Sequence, residues 1–129
     1  GSVVPPTRLE LTRSFAGQAT APGKARRLVI DLLQQWQLDD VVDDAALVTT
    51  ELATNAVTHA ECGFTVTLSV EGDMVRISVL DASGALPQER ALDSVSSSGR
   101  GLHIVDALAV RWGTDVVAEG KLVWAELRR

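Results

Sequence analysis

"FTVTLSVEGDMVRISVLD", residues 64–81, changes the period of the chain. Phe64, Val66, Leu68 and Val70 alternate with Thr65, Thr67 and Ser69, the repeat of two that makes a strand with one apolar face. Gly72-Asp73 then supplies a turn, and Met74 to Asp81 reads as the antiparallel partner.

The flanks of this hairpin have a different period. Upstream, "DDVVDDAALVTTELATNAVTHA" (Asp39 to Ala60) predicts a long helix opening on Asp39 and Asp40, whose charges suit its positive end. At 100° per residue, Val42, Ala45, Ala46, Thr49, Leu52, Ala53, Ala56, Val57 and Ala60 share one broad face, which is assigned to the sheet. Leu28, Leu32, Leu33 and Trp36 give an earlier helix over Lys24 to Leu38. Before it come a loop from Phe15 to Gly23 and a strand, "RLELTRSF", with Leu9, Leu11 and Phe15 on one face.

Downstream, Ala82 to Ser98 is rich in Ser and Ala, contains Pro87 and has little periodicity, as expected of a lid or a disordered segment. "GRGLHIVDALAV" (Gly99 to Val110) starts a helix on two glycines, with Leu102, Val105, Leu108 and Ala109 inward. "RWGTDVVAEGKLVWAELR" closes the chain as a hairpin turning at Gly120. The order is βααββαββ. It predicts an α+β two-layer sandwich: a five-stranded mixed, mainly antiparallel sheet covered on one face by about three helices.

Composition bounds the function. The 129 residues, 46% hydrophobic and 22% charged, fit one globular domain over 3–129, with Gly1-Ser2 read as an expression scar. Trp36, Trp112, Trp124, Phe15 and Phe64 are the only aromatics, so the core rests on Val, Leu, Ile and Ala. A net charge of −5 argues against direct binding of nucleic acid. Cys62 is the single cysteine, which excludes an intrachain disulfide and a Cys-cluster metal site and fits a reducing cytoplasm. No apolar run approaches the roughly 18 residues of a membrane span, and no signal peptide is visible.

Chemistry concentrates in three places. Glu51 and Asn55 lie one turn apart on the side of the long helix that faces away from the sheet, about 40° apart on the wheel, flanked by Leu47 and Val48. Asp81 ends a strand and is followed by Ser83 and Gly84, so its carboxylate can accept a hydrogen bond from a flat ligand. Gly99-Arg100-Gly101, followed by Leu102, opens a helix whose free amides and dipole favour an anion. Each has a plainer reading alone: a solvated helix face, a turn or capping Asp, a flexible Gly turn. Together they match a nucleotide. Asp81 would hold adenine by its exocyclic amine, Gly99 to Gly101 would hold phosphates, and Asn55 would offer an oxygen to Mg²⁺, which commonly bridges one protein group to substrate phosphates. Glu51 would then deprotonate an attacking hydroxyl or water.

"GQATAPGKA" (Gly17 to Ala25) superficially resembles a phosphate-binding P-loop and is set aside. It has one residue too many between its glycines, Ala25 replaces the metal-binding Ser/Thr, and Pro22 lacks a backbone donor.

At these residues the chain resembles the histidine-kinase-like (GHKL, or Bergerat-fold) ATPase superfamily, and within it the anti-sigma-factor serine/threonine kinases. "ELATNAVTHA" resembles that branch's N box, which implies Glu51 as catalytic base and Asn55 as Mg²⁺ ligand. "DASGALP" resembles its G1 box, implying adenine recognition by Asp81, with Ser83 and Gly84 beside the base. "GRGLHIV" resembles its G2 box, implying phosphate contacts from Gly99, Arg100, Gly101 and Leu102. Two departures stand out. Ser83 and Ala85 replace glycines of the wider superfamily, and Leu122 is read at the place of a last-strand threonine that helps bind adenine through water.

The resemblance implies an ATP- and Mg²⁺-dependent serine/threonine kinase acting on an anti-sigma-factor antagonist. It would otherwise sequester a sigma factor, as a homodimer in the cytoplasm, with no membrane or nucleic-acid contact. Two alternatives stay open: a nucleotide-binding interaction module without kinase activity, and the ATPase output domain of a larger regulator. Neither His59 nor His103 has the context of a phospho-acceptor histidine.

Overall fold

The computed structural model describes residues 8–59, 63–81 and 99–129. In order these form β1 (Arg8–Phe15), α1 (Ala21–Gln35), a 3-10 turn (Asp39–Val41), α2 (Val42–His59), β2 (Phe64–Glu71), β3 (Met74–Asp81), α3 (Gly99–Leu108), β4 (Arg111–Val117) and β5 (Gly120–Arg128). The α+β reading and the element order hold.

The sheet runs β1-β2-β3-β5-β4. All four pairings are antiparallel, which corrects the expected mixed sheet among the described strands. The reason is one insertion: β4 runs in the direction of β3, and β5 lies between them, so the two never pair. Three apolar rows cross the centre: Val70, Val75 and Leu127; Leu68, Ile77 and Ala125; Val66, Val79 and Val123. All nine side chains are buried, and each fully buried Val, Leu or Ile contributes about 1.5–3 kcal/mol.

On β1 and β2 the other side of the sheet is polar. Thr12 and Thr67 hydroxyls meet at 3.0 Å, as do those of Ser14 and Thr65. At the first edge Phe15 stacks on Phe64, with ring centroids 5.4 Å apart. The chain reaches β2 through Gly63, at φ 98°, where an added Cβ would lie 2.5 Å from the carbonyl oxygen of Phe15. Only glycine fits there.

α1 begins at Ala21, three residues earlier than its apolar spacing indicates. Pro22 sits in its first turn, where the missing N–H removes no helical bond. Gln37, at φ 63°, ends the helix: its N–H reaches the Gln34 carbonyl at 3.0 Å, and Leu38 N–H reaches that of Leu33 at 2.8 Å. This is a Schellman closure with glutamine in the usual glycine position, and the buried Leu38 secures it.

Asp39 and Asp40 form the 3-10 turn, so α2 starts at Val42 rather than on the two aspartates. Along α2, Ala45, Val48, Thr49, Leu52, Ala53 and Ala56 are buried. Val48 departs from the wheel expectation, because α1 packs along α2 and gives it a second covered stripe. Thr49 is buried without penalty, its hydroxyl donating to the Ala45 carbonyl at 2.7 Å.

Candidate nucleotide-binding site

Asp81 follows from strand alternation. Val75, Ile77 and Val79 point to the helices, and two residues later so does Asp81, only 2% exposed. Across the sheet it faces Phe64 on β2 and Lys121 on β5. The Lys121 ammonium nitrogen lies 4.0 Å from Asp81 Oδ2. A carboxylate this deeply buried needs compensating charge or hydrogen bonds, and Lys121 contributes some of it.

The register revises one expectation. Leu122 pairs with Leu80, one position off the row of Asp81, so it belongs to the other side of the sheet. The residue beside Asp81 on the helix side is Lys121. The signal was present in the sequence, since Lys121 continues the inward series Leu127, Ala125, Val123.

Glu51 and Asn55 are carried by α2, one turn apart and half-buried, among the exposed Leu47, Thr54 and Thr58. α2 is the hub of the fold: it packs against α1, α3, β2, β3 and β5. The helix bearing Glu51 and Asn55 is therefore neighbour both to the strand that Asp81 ends and to the helix that Gly99 begins.

α3 opens at Gly99, as the two glycines predict, so Gly99, Arg100, Gly101 and Leu102 form its first turn and carry amides without helical partners. Its body is held by the fully buried Val105. Its last turn is tied to β4, where the Trp112 indole N–H donates to Asp106 Oδ1 at 2.9 Å. Ser83 and Gly84 lie outside the described residues. In the P-loop-like stretch, Ala21 and Pro22 already belong to α1, so the helix begins between the two glycines rather than after a full loop.

A second charged group lies on the polar side of the sheet and was not anticipated. Glu126 accepts from Arg76 Nη1 at 3.1 Å and from Arg111 Nε at 2.9 Å. Burial alone would raise its carboxyl pKa, but the hydrogen bonds and charges of Arg111 and Arg76 outweigh it and hold the group below its ordinary value. The Arg76 guanidinium also stands 4.5 Å from the centre of the Trp124 ring.

Antiparallel strands backed by helices, with a carboxylate at the end of a central strand and a helix, α2, that packs both on that strand and on the glycine-initiated α3, are consistent with a Bergerat ATP-binding fold. The match to known families is specific: residues 15–127 correspond to the histidine kinase-like ATPase domain, and the chain belongs to that family of ATP-binding domains. A search of curated proteins found no match. Among the described residues, no helix is long and apolar enough to cross a membrane.

Proposed function

We propose that this ATPase domain is a serine/threonine protein kinase of the anti-sigma-factor type, which uses Mg-ATP to phosphorylate an anti-sigma-factor antagonist. The observation that carries the reading is the placement of α2. It holds Glu51 and Asn55 half-buried while packing against both β3, which Asp81 ends, and α3, which Gly99 begins.

The residues suit the groups they would hold. Asn55 offers a hard carboxamide oxygen, the donor type Mg²⁺ prefers, and the triphosphate and water would complete its shell. Asp81, acceptor-only when ionised, would take a hydrogen bond from the adenine amine. The first amides of α3 would hold phosphate oxygens, with Arg100 adding charge. Mg-ATP supplies the γ-phosphoryl group. Glu51 would accept the proton of the antagonist's hydroxyl as its oxygen bonds to the γ-phosphorus and ADP leaves.

Sequestration of a sigma factor, a homodimeric state and a cytoplasmic setting belong to the same proposal and rest on the sequence resemblance. The test is calorimetric titration of Mg-ATP into the parent chain, Asn55→Ala and Asp81→Asn. Binding by the parent is expected, with loss of the Mg²⁺-dependent part in Asn55→Ala and weakening of tenfold or more in Asp81→Asn, the scale of a hydrogen bond to a charged group. No heat from the parent would leave a protein-binding role without nucleotide.

A further inference from the structure

Asp81 is buried and Lys121 partly exposed: their side chains are 3% and 29% exposed. They occupy paired positions on neighbouring strands and point to the same side, 4.0 Å apart. The pair therefore presents an acceptor-only group directly beside a donor-only group. The pairing edge of adenine has the complementary order, an amine donor at N6 next to an acceptor at N1. A carboxylate alone would satisfy the amine and leave N1 to find a donor elsewhere.

We propose that Lys121 is a specificity-determining residue of the nucleotide site, donating from its ammonium to N1 of the bound adenine while Asp81 accepts from N6. The inference rests on the ATP reading of the site and adds a contact made by this chain's own lysine. Two physical points support it. The ammonium already lies beside Asp81, so no large rearrangement is needed to meet a base held there. The lysine stem also rises from the rigid β3–β5 ladder, with Val123 and Ala125 buried behind it, which fixes the root of the side chain.

The experiment crosses a change in the ligand with a change in the residue. ATP and 1-deaza-ATP, which keeps the amine and lacks the N1 acceptor, are titrated with Mg²⁺ into the parent chain and into Lys121→Met. The parent should bind ATP about tenfold more tightly than 1-deaza-ATP, the scale of one charge-assisted hydrogen bond. Lys121→Met should bind the two ligands alike, and Lys121→Arg should restore the preference. A preference that survives in Lys121→Met, or that the parent never shows, overturns the proposal. If Lys121→Met melts early, Lys121→Leu takes its place at the same strand position. The parent and Asp81→Asn separate the two levels. A parent that does not bind ATP ends the nucleotide reading and this contact with it. Binding that is lost in Asp81→Asn but shows no N1 preference ends this contact alone.

Discussion

Arg111 and Glu126 pair across the β4–β5 rung, and the arginine grips one carboxylate oxygen of its partner with both Nε and Nη2. The carboxylate also takes Arg76, so one nearly buried acid joins β3, β4 and β5 on the side of the sheet away from the helices.

This arrangement predicts a pH dependence. The folded-state pKa of Glu126 lies below its ordinary value of 4.5, so its contribution to stability is present above that value and lost as pH falls through the folded one. Glu126→Gln should lower stability at neutral pH by about 1–2 kcal/mol, the scale of a hydrogen bond between charged groups. The gap between parent and variant should close as pH falls below the ordinary carboxylate value and through the lowered pKa of the folded state, where the parent's own acid is protonated. Melting curves from pH 7 to pH 3 measure it, and parallel curves would remove the ion pair from the account.

Gly113 makes a second prediction. An added Cβ there would lie 2.8 Å from Trp124 Cζ2, and that ring also carries Arg76. Gly113→Ala must push the indole aside, at a cost of about 1–3 kcal/mol. Denaturant unfolding reports the cost. An unchanged midpoint would mean that the indole yields freely.

Glu51 separates binding from chemistry. Glu51→Ala is expected to keep Mg-ATP affinity, since the carboxylate is assigned to the hydroxyl and not to the nucleotide. Phosphate transfer to an antagonist substrate should fall by about 10²–10⁴-fold, the usual contribution of a general base. Calorimetry and a labelled-phosphate assay give the two readouts. Transfer at the parent rate would discard the assigned base.

Much of this fold is legible in the chain because local periods are strong. The alternation of Phe64 to Asp81 gives a hairpin, and Gly99-Arg100-Gly101 marks where α3 begins. Ends were less legible where the chemistry is subtle: Pro22 extends α1 backward, and Asp39-Asp40 spend themselves on a 3-10 turn. Long-range features were not local at all. That β5 lies between β3 and β4, or that Val48 is buried on a helix packed against α1, depends on contacts between distant segments. Leu122 shows how fine the margin is, since one step along a strand moves a side chain to the opposite surface.

The bond between Trp112 and Asp106 has a practical meaning. The chain has no tyrosine and three tryptophans, so indoles dominate its near-ultraviolet absorption and emission. One of these chromophores is hooked to the far end of the helix whose opening turn is assigned to the phosphates. The molecule thus carries an intrinsic optical gauge on that helix, and its colour can be followed without attaching a dye.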